Sequence, residues 1–416
     1  MIGLADCNNF YASCERVFNP RLKNDAVIVL SNNDGCVIAR SNEAKKLGVK
    51  MGVPVFKIRD IISKYNINVF STNFALYGDM SERVMNTLKS EVDDVEIYSI
   101  DEAFLNFSDF IDTDRAVQIK EKVKQWTGIP VSIGIAPTKS LAKIANHVAK
   151  KYTSNGIFII NNDSLADEIL KNFPIEEAWG IGRRFSKKLS YFNIKTALEF
   201  KNANSKWIKK NFSVNGLRLQ KELRGEICYP LKGGYKSKKN ICTSRSFSKE
   251  IKSFNSLREI VSSFASNCAY KLRKQKSCCA KISVFLMTNR FKLGSPQHFP
   301  SITLNFDTPT SDSFEIVNMA NKALFKIHNS KYSYKKAGVV VHNTSPESSI
   351  QTSLFDKIDR QKRQKIMKSI DLLNSKMGRN KIHLASSNFN RKWAFKREKL
   401  SPCYTTMFSD ILKIQL

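Results

Sequence analysis

The sequence predicts a multidomain α+β protein, and three observations predict it. Its 416 residues are too many for one core and suggest about three domains at roughly 150 residues each. Apolar residues make up 42% and aromatic residues 10%, enough for packed interiors and not the composition of a disordered chain. Short β-branched runs alternate with longer helical stretches twice, once before residue 165 and again after residue 240, as in sheets layered on helices.

Ile2 to Ala5 reads as a short buried strand ending at Asp6, with Ala26 to Leu30 and Val37 to Ala39 as further strands. A helix-like stretch from Ser41 to Met51 is closed by Gly48 and Gly52. Val95 to Ile100 and Ala103 to Phe107 read as two strands meeting at Asp101 and Glu102, followed by a helix from about Asp114 to Trp126 with Asp112 or Thr113 as its cap. Val131 to Ala136 is a strand, Thr138 to Lys150 a helix and Ile157 to Ile160 a last strand, and residues 12–76 read as an insertion after the first strand. From 166 to 232 the pattern turns helical and basic, with short helices separated by Gly180, Gly182, Gly216 and Gly225. Gly233 to Lys239 reads as a linker. Beyond it come a strand at Ile241 to Phe247, a helix at Ser256 to Lys274, strands at Lys281 to Met287 and Ser301 to Phe306, a helix at Phe314 to Lys326 and a strand at Ala337 to Val341. That order is a βαββαβ unit. Asn343 to Ser349 has the polar composition of a flexible connector, and one helix is expected near Lys357 to Leu373.

No apolar run approaches the roughly 18 residues of a membrane span. The start of the chain meets Asp6 before a signal-peptide core can form. The nine cysteines are scattered, apart from adjacent Cys278 and Cys279, and show no C-x-x-C spacing. A reduced, cytoplasmic protein is expected. The net charge of +31 is distributed unevenly: residues 1–165 hold 20 basic and 19 acidic residues, 166–343 hold 33 and 12, and 344–416 hold 15 and 6. A near-neutral first part followed by a strongly basic remainder implies chemistry in one region and the gripping of a polyanion, nucleic acid, in the other.

Asp6 at a strand end and the Asp101-Glu102 pair between two strands place three carboxylates where a sheet can bring them together. Such a cluster calls for cations, and oxygen-only ligation favours Mg²⁺ held jointly with substrate phosphates. Taken from the residues alone, a nucleotidyl cyclase could use this arrangement, and a non-catalytic DNA- and clamp-binding scaffold could use the basic half.

Four segments carry a resemblance: D-C-N-N-F-Y-A-S-C-E (Asp6 to Glu15), Y-S-I-D-E-A (Tyr98 to Ala103), G-I-A-P-T-K-S-L-A-K-I-A (Gly134 to Ala145) and W-G-I-G (Trp179 to Gly182). In order and spacing the chain resembles the Y-family, or translesion, DNA polymerases. A-R-S-N-E-A-K-K-L-G-V-K-M-G (Ala39 to Gly52) and L-S-P-C-Y-T-T-M-F-S-D-I-L (Leu400 to Leu412) extend the likeness into one bacterial branch and nearly to the end of the chain.

The resemblance implies a right-hand polymerase with a ferredoxin-like palm (1–11 and 77–165), small fingers (12–76), a helical thumb (166–232) and, after the linker from 233, an α+β little finger to 343. It implies an error-prone, template-directed DNA polymerase acting in the DNA-damage (SOS) response. Two Mg²⁺ ions would be held by Asp6, Asp101 and Glu102, with the Cys7 backbone carbonyl completing one shell. Tyr11, beside Phe10, takes the position of a steric gate against the 2′-hydroxyl, and Lys45 and Lys150 clamp the triphosphate of a dNTP. The resemblance departs at Asn42, where many relatives place a Tyr beside the triphosphate. Gly180 and Gly182 form a helix-hairpin-helix turn that approaches a phosphate of primer-template DNA, flanked by Arg183, Arg184, Lys187 and Lys188. Gln351-Thr352-Ser353-Leu354-Phe355 matches the Q-x-x-L-F pentapeptide that docks on the sliding clamp, with Gln351, Leu354 and Phe355 as its anchors. In the branch the chain resembles, a processed UmuD dimer and RecA are further partners. No role follows for residues 376–416.

Overall fold

The computed structural model describes residues 1–107, 113–233, 237–292, 294–351, 356, 358–378, 380–387 and 397–412. The chain divides into two compact units, residues 1–234 with 397–416, and residues 235–396.

The first unit opens with β1 (Ile2–Cys7) and α1 (Phe10–Phe18), then β2 (Val27–Leu30), β3 (Val37–Arg40), α2 (Asn42–Lys46), α3 (Arg59–Lys64), β4 (Asn68–Ser71) and α4 (Phe74–Lys89). It continues with β5 (Val95–Ile97), β6 (Glu102–Asn106), α5 (Thr113–Thr127), β7 (Val131–Ala136), α6 (Lys139–Tyr152) and β8 (Ile157–Ile159). The helices α7 (Asp163–Asn172), α8 (Arg183–Tyr191), α9 (Ala197–Asn202) and α10 (Ser205–Leu223) complete it. A five-stranded sheet runs β5-β6-β1-β7-β8, and a separate three-stranded sheet runs β3-β2-β4.

Period-two alternation in β1 and β6 splits the large sheet between two cores. Ala5, Ala103, Leu105, Ile133 and Ile135 pack with α4 and α5 residues such as Met80, Val84, Ile119 and Val123. Ile2, Leu4 and Phe104 pack with Leu141, Ile144 and Ala145 of α6 and with the helices beyond it. The α6 helix lies so close to β7 that a Cβ on Gly134 would stand 2.0 Å from the backbone nitrogen of Asn146. Asn146 uses that approach to donate to the carbonyls of Leu4 (3.1 Å) and Ser132 (2.8 Å). Thr138 caps α6 by accepting from the Leu141 N–H.

Several expectations are corrected. The stretch Ser41 to Met51 forms only a five-residue helix, because Gly48 and Gly52 both adopt positive φ and turn the chain back toward β3. Helix α4 was not among the expected elements, although Leu76, Met80, Val84 and Leu88 give it a buried stripe. Gly216 does not separate two helices but lies buried inside α10, which kinks at Ser213 (φ 63°), and a Cβ there would meet that of Phe212 at 2.4 Å. Of the two caps proposed for α5, Asp112 lies outside the described residues.

The second unit comprises β9 (Ile241–Ile251), α11 (Phe254–Lys274), β10 (Ser277–Met287), β11 (Ser301–Thr310), α12 (Ser313–Ile327), β12 (Tyr334–Pro346) and α13 (Arg360–Met377). The four strands pair in the order β11-β10-β12-β9, with α11 and α12 packed on one face. The flexible connector expected at Asn343 to Ser349 is overturned as far as Pro346. Strand β12 continues to Pro346, with Ser345 opposite Cys278 and Pro346 opposite Ser277, because ladder pairing satisfies the backbone whatever the polarity of the side chains. Helix α13 is tied back by Arg273, whose guanidinium donates to both oxygens of Asp371 (2.7 and 2.8 Å), and by the pairing of Arg360 with Glu315 (2.7 Å).

Candidate active site on the sheet of the first unit

Antiparallel pairing of β1 with β6 sets Asp6 directly opposite Glu102. The Cys7 N–H donates to the carbonyl of Asp101 (2.8 Å), which holds the turn before β6 against the end of β1. The Ser99 hydroxyl donates to Asp101 Oδ1 (2.5 Å) and accepts from the Glu102 N–H (3.1 Å), so the turn is braced from inside. The three carboxylates therefore meet at one end of two strands.

Two of the three, Asp6 and Glu102, are paired with lysines of one helix, which also reaches Glu96. Along α6, Lys139 pairs with Glu96 (2.6 Å), Lys143 with Glu102 (3.0 Å) and Lys150 with Asp6 (2.5 Å). Spacings of four and seven residues put these lysines in a stripe on the helix face turned to the sheet. Burial raises the Asp6 carboxyl from 3.8 to about 6 against the pull of Lys150, and repulsion from Glu102 and Asp101 adds to the rise. Among the described residues no three His, Cys, Asp or Glu side chains form a closed metal cage, since lysines take up oxygens of Asp6 and Glu102. The donor set nonetheless fits a hard divalent cation: all the side-chain donors are carboxylate oxygens, and their mutual repulsion is what such a cation relieves.

Tyr11, on the first turn of α1, stacks on Tyr77 (centroids 4.4 Å apart, planes at 15°) and meets Phe74 edge-on at 6.4 Å. Its hydroxyl is pushed above its ordinary pKa by burial and then by the charge of Asp101. Phe10 is placed differently. It is 4% exposed and belongs to the core under the sheet, so its ring is not available to a ligand. Cys7 is likewise buried, its thiol pushed up by desolvation, leaving only its backbone to serve the site.

Lys45 reaches the Asn42 side chain (3.2 Å), and Asn42 also accepts from Asn9 (3.1 Å). Burial and then the charges of Arg40 and Lys150 lower the Lys45 ammonium below its ordinary value. Three cations, Arg40, Lys45 and Lys150, thus share one neighbourhood with Asp6. Arg40, Lys143 and Ser99 had not been singled out from the sequence. The i, i+4, i+11 spacing of Lys139, Lys143 and Lys150 could have identified the second, whereas nothing local distinguishes the other two.

Gly180 (φ 94°) and Gly182 precede α8, with open space around both. Arg183, Arg184 and Lys187 are exposed on its first turns. Lys188 points inward, donating to the Asn211 carbonyl (3.0 Å) over the Phe212 ring. Gln351 is exposed, whereas Thr352 to Phe355 lie outside the described residues, as does most of the proposed clamp motif. All nine cysteines are free thiols, and among the described residues no helix is long and apolar enough to cross a membrane.

Solved structures share this fold. A Y-family DNA polymerase chimera of Dbh and Dpo4 superposes with a TM-score of 0.68, covering 83% of this chain and all of that one at 23% identity. DinB from Sulfolobus solfataricus gives 0.53 over 82% of this chain. At the level of sequence, the impB/mucB/samB family matches residues 5–147, its C-terminal domain residues 238–354, and a domain of unknown function residues 364–414. DNA polymerase IV of Treponema denticola is 27% identical over 90% of this chain and 93% of its own length. The class is therefore that of the Y-family DNA-directed DNA polymerases, error-prone enzymes of translesion synthesis. Within it, Protein UmuC of Salmonella typhimurium is 42% identical over the full length of both chains, and Protein ImpB of Salmonella typhimurium is 41% identical over 99% of both. The chain belongs to this impB/mucB/samB family.

Proposed function

We propose that Asp6, Asp101 and Glu102 hold the two Mg²⁺ ions of nucleotide addition and that Tyr11, Lys45 and Lys150 receive the incoming dNTP. One observation carries the proposal: Asp6 and Glu102 stand opposite each other in register, with Asp101 locked beside them through the Cys7 N–H. When bound, two divalent ions would offset the triphosphate charge and favour in-line attack of the primer 3′-hydroxyl on the α-phosphorus, with pyrophosphate leaving. Lys150 and Lys143 hold the carboxylates ready while the site is free. On loading, Lys150 exchanges Asp6 for triphosphate oxygens, joined by Lys45. The flat face of the Tyr11 ring leaves no room for a 2′-hydroxyl, which selects deoxynucleotides by shape.

Residues 1–11 and 77–165 act as palm, 12–76 as fingers, 166–232 as thumb and 233–343 as linker and little finger. The basic residues from 166 onward hold primer-template DNA by its phosphates, with Arg183, Arg184 and Lys187 at the turn of Gly180 and Gly182. Fingers of about 65 residues are too small to check base-pair shape by closing over it, the physical correlate of low fidelity. Gln351 to Phe355 docks on the sliding clamp, and a processed UmuD dimer and RecA are the partners to test beside it, in the cytoplasm. The decisive experiment is primer extension by Asp101→Ala. It should abolish nucleotide addition while DNA affinity stays within about twofold of the parent, because no phosphate-gripping residue is touched. Extension at the parental rate overturns the carboxylate assignment.

A further inference from the structure

The last described segment, residues 397–412, folds back onto the first unit. Leu400 forms a parallel bridge to Ser71 at the end of β4. The Ser71 N–H donates to the Lys399 carbonyl (2.8 Å), and the Lys399 N–H donates to the Ser71 hydroxyl (3.0 Å). Such pairing extends an open sheet edge by a short strand. Next in sequence, Ser401 is 6% exposed and Asn73 only 2%. The Asn73 amide donates to the Ser401 carbonyl (3.0 Å), the Ser401 hydroxyl (3.1 Å) and the Pro402 carbonyl (3.2 Å). The other end of the same amide caps α4 at the Leu76 N–H. Tyr404 then stacks on Phe18 of α1 at 4.9 Å.

The contact reaches the nucleotide side through one carboxylate. Glu15 of α1 is 2% exposed, and its Oε1 accepts from both Ser401 Oγ (3.0 Å) and Tyr77 Oη (2.5 Å). Tyr77 is fully buried, and its ring is the surface on which Tyr11 stacks. A chain of contacts therefore runs from Ser401 through Glu15 and Tyr77 to Tyr11, which Phe74 of the first turn of α4 also meets edge-on. A buried carboxylate is held in place only by the donors it finds. If the tail leaves, Glu15 loses one donor and gains water, water competes for the Tyr77 hydroxyl, and the ring beneath Tyr11 is free to shift.

We propose that residues 399–404 are a positioning clasp for the sugar gate and that Ser401, remote in sequence from the reacting atoms, sets ribonucleotide discrimination through Glu15 and Tyr77. The clasp rests on the assignment of Tyr11 as the gate. It gives a task to part of the segment that the domain of unknown function matches.

The test uses the full-length chain with Ser401→Ala, Tyr77→Phe, the two combined, and Tyr11→Ala. Single-nucleotide kinetics on an undamaged primer-template are measured with each dNTP and its matching rNTP. Ser401→Ala should raise the ribo-to-deoxy ratio of kcat/KM by roughly three- to tenfold, with kcat for the deoxynucleotide within about twofold of the parent. Tyr77→Phe keeps the ring but loses the hydroxyl, so the double variant should fall short of the product of the single effects, as for residues acting through one carboxylate. Amide hydrogen exchange at Leu76 and Tyr77 should accelerate in Ser401→Ala. A raised ratio in Tyr11→Ala with a parental ratio in Ser401→Ala overturns the clasp and leaves the gate standing. A parental ratio in Tyr11→Ala overturns the gate and the clasp with it. Unchanged exchange at Leu76 and Tyr77 overturns the clasp on structural grounds, independently of any kinetics.

Discussion

Replacing Lys143 with Met asks what the lysine stripe of α6 does for the carboxylates. The Lys143 ammonium lies 3.0 Å from both oxygens of Glu102, and the two side chains are 16% and 19% exposed. It also sits over the rings of Tyr98 (4.6 Å) and Trp179 (5.7 Å). Breaking a fully buried ion pair costs about 3–5 kcal/mol because one charge is stranded. Partial water access here reduces that to about 2 kcal/mol, and the methionine keeps its packing against the rings. In EDTA the urea midpoint of the variant should therefore fall. Magnesium should restore most of it, because no lysine has to be displaced from Glu102. If divalent affinity rises about tenfold, saturating magnesium gains about 1.4 kcal/mol more in the variant than in the parent. Equal magnesium-induced shifts in parent and variant would refute the idea that α6 lysines stand in for cations at this edge.

Further outcomes follow from the same structure. Gly134→Ala forces a Cβ to within 2.0 Å of the α6 backbone and should cost about 3 kcal/mol or more by chemical denaturation, since backbone cannot step aside as a side chain does. Leu354→Ala with Phe355→Ala should remove two apolar anchors worth about 1.5–3 kcal/mol each if buried against the clamp. Calorimetry should then show clamp binding lost while distributive synthesis stays near parental. Glu15 has its pKa raised above 4.5, first by burial, against the hydrogen bonds from Tyr77 and Ser401. Its folded state therefore takes up a proton more readily than the unfolded chain, so its contribution is greatest below about pH 4.5 and is lost as pH rises through the folded value. Glu15→Gln should flatten that part of the stability profile, and a Tm difference between variant and parent that does not change with pH from 4 to 7 would contradict it.

Much of the five-stranded sheet was legible in the sequence. Val131–Ala136 holds only apolar and small residues, Ser132 and Gly134 among them, because both faces of β7 are covered and every position is buried. Asp6, Asp101 and Glu102 could be placed together because each sits at a strand boundary, where register leaves few options. The basic half announced itself through charge alone. Phe10 and Lys188 were less transparent: Phe10 and Tyr11 are neighbours on α1, yet one ring lies in the core and the other is half-buried against Tyr77, and only packing decides which side chain points inward.

What the tertiary structure alone decided lies between residues far apart in the chain. The continuation of β12 through Thr344, Ser345 and Pro346 is carried by backbone bonds to β10, which leave no side-chain signature. The α6 lysines find their carboxylates only once the helix is laid across β1 and β6. The docking of Ser401 on Asn73 and Glu15 joins positions 328 and 386 residues apart. Composition and periodicity report how each segment meets water or a core. Which two polar groups meet each other is settled by the path of the whole chain, because a hydrogen bond across such a distance depends on every element that brings its ends together.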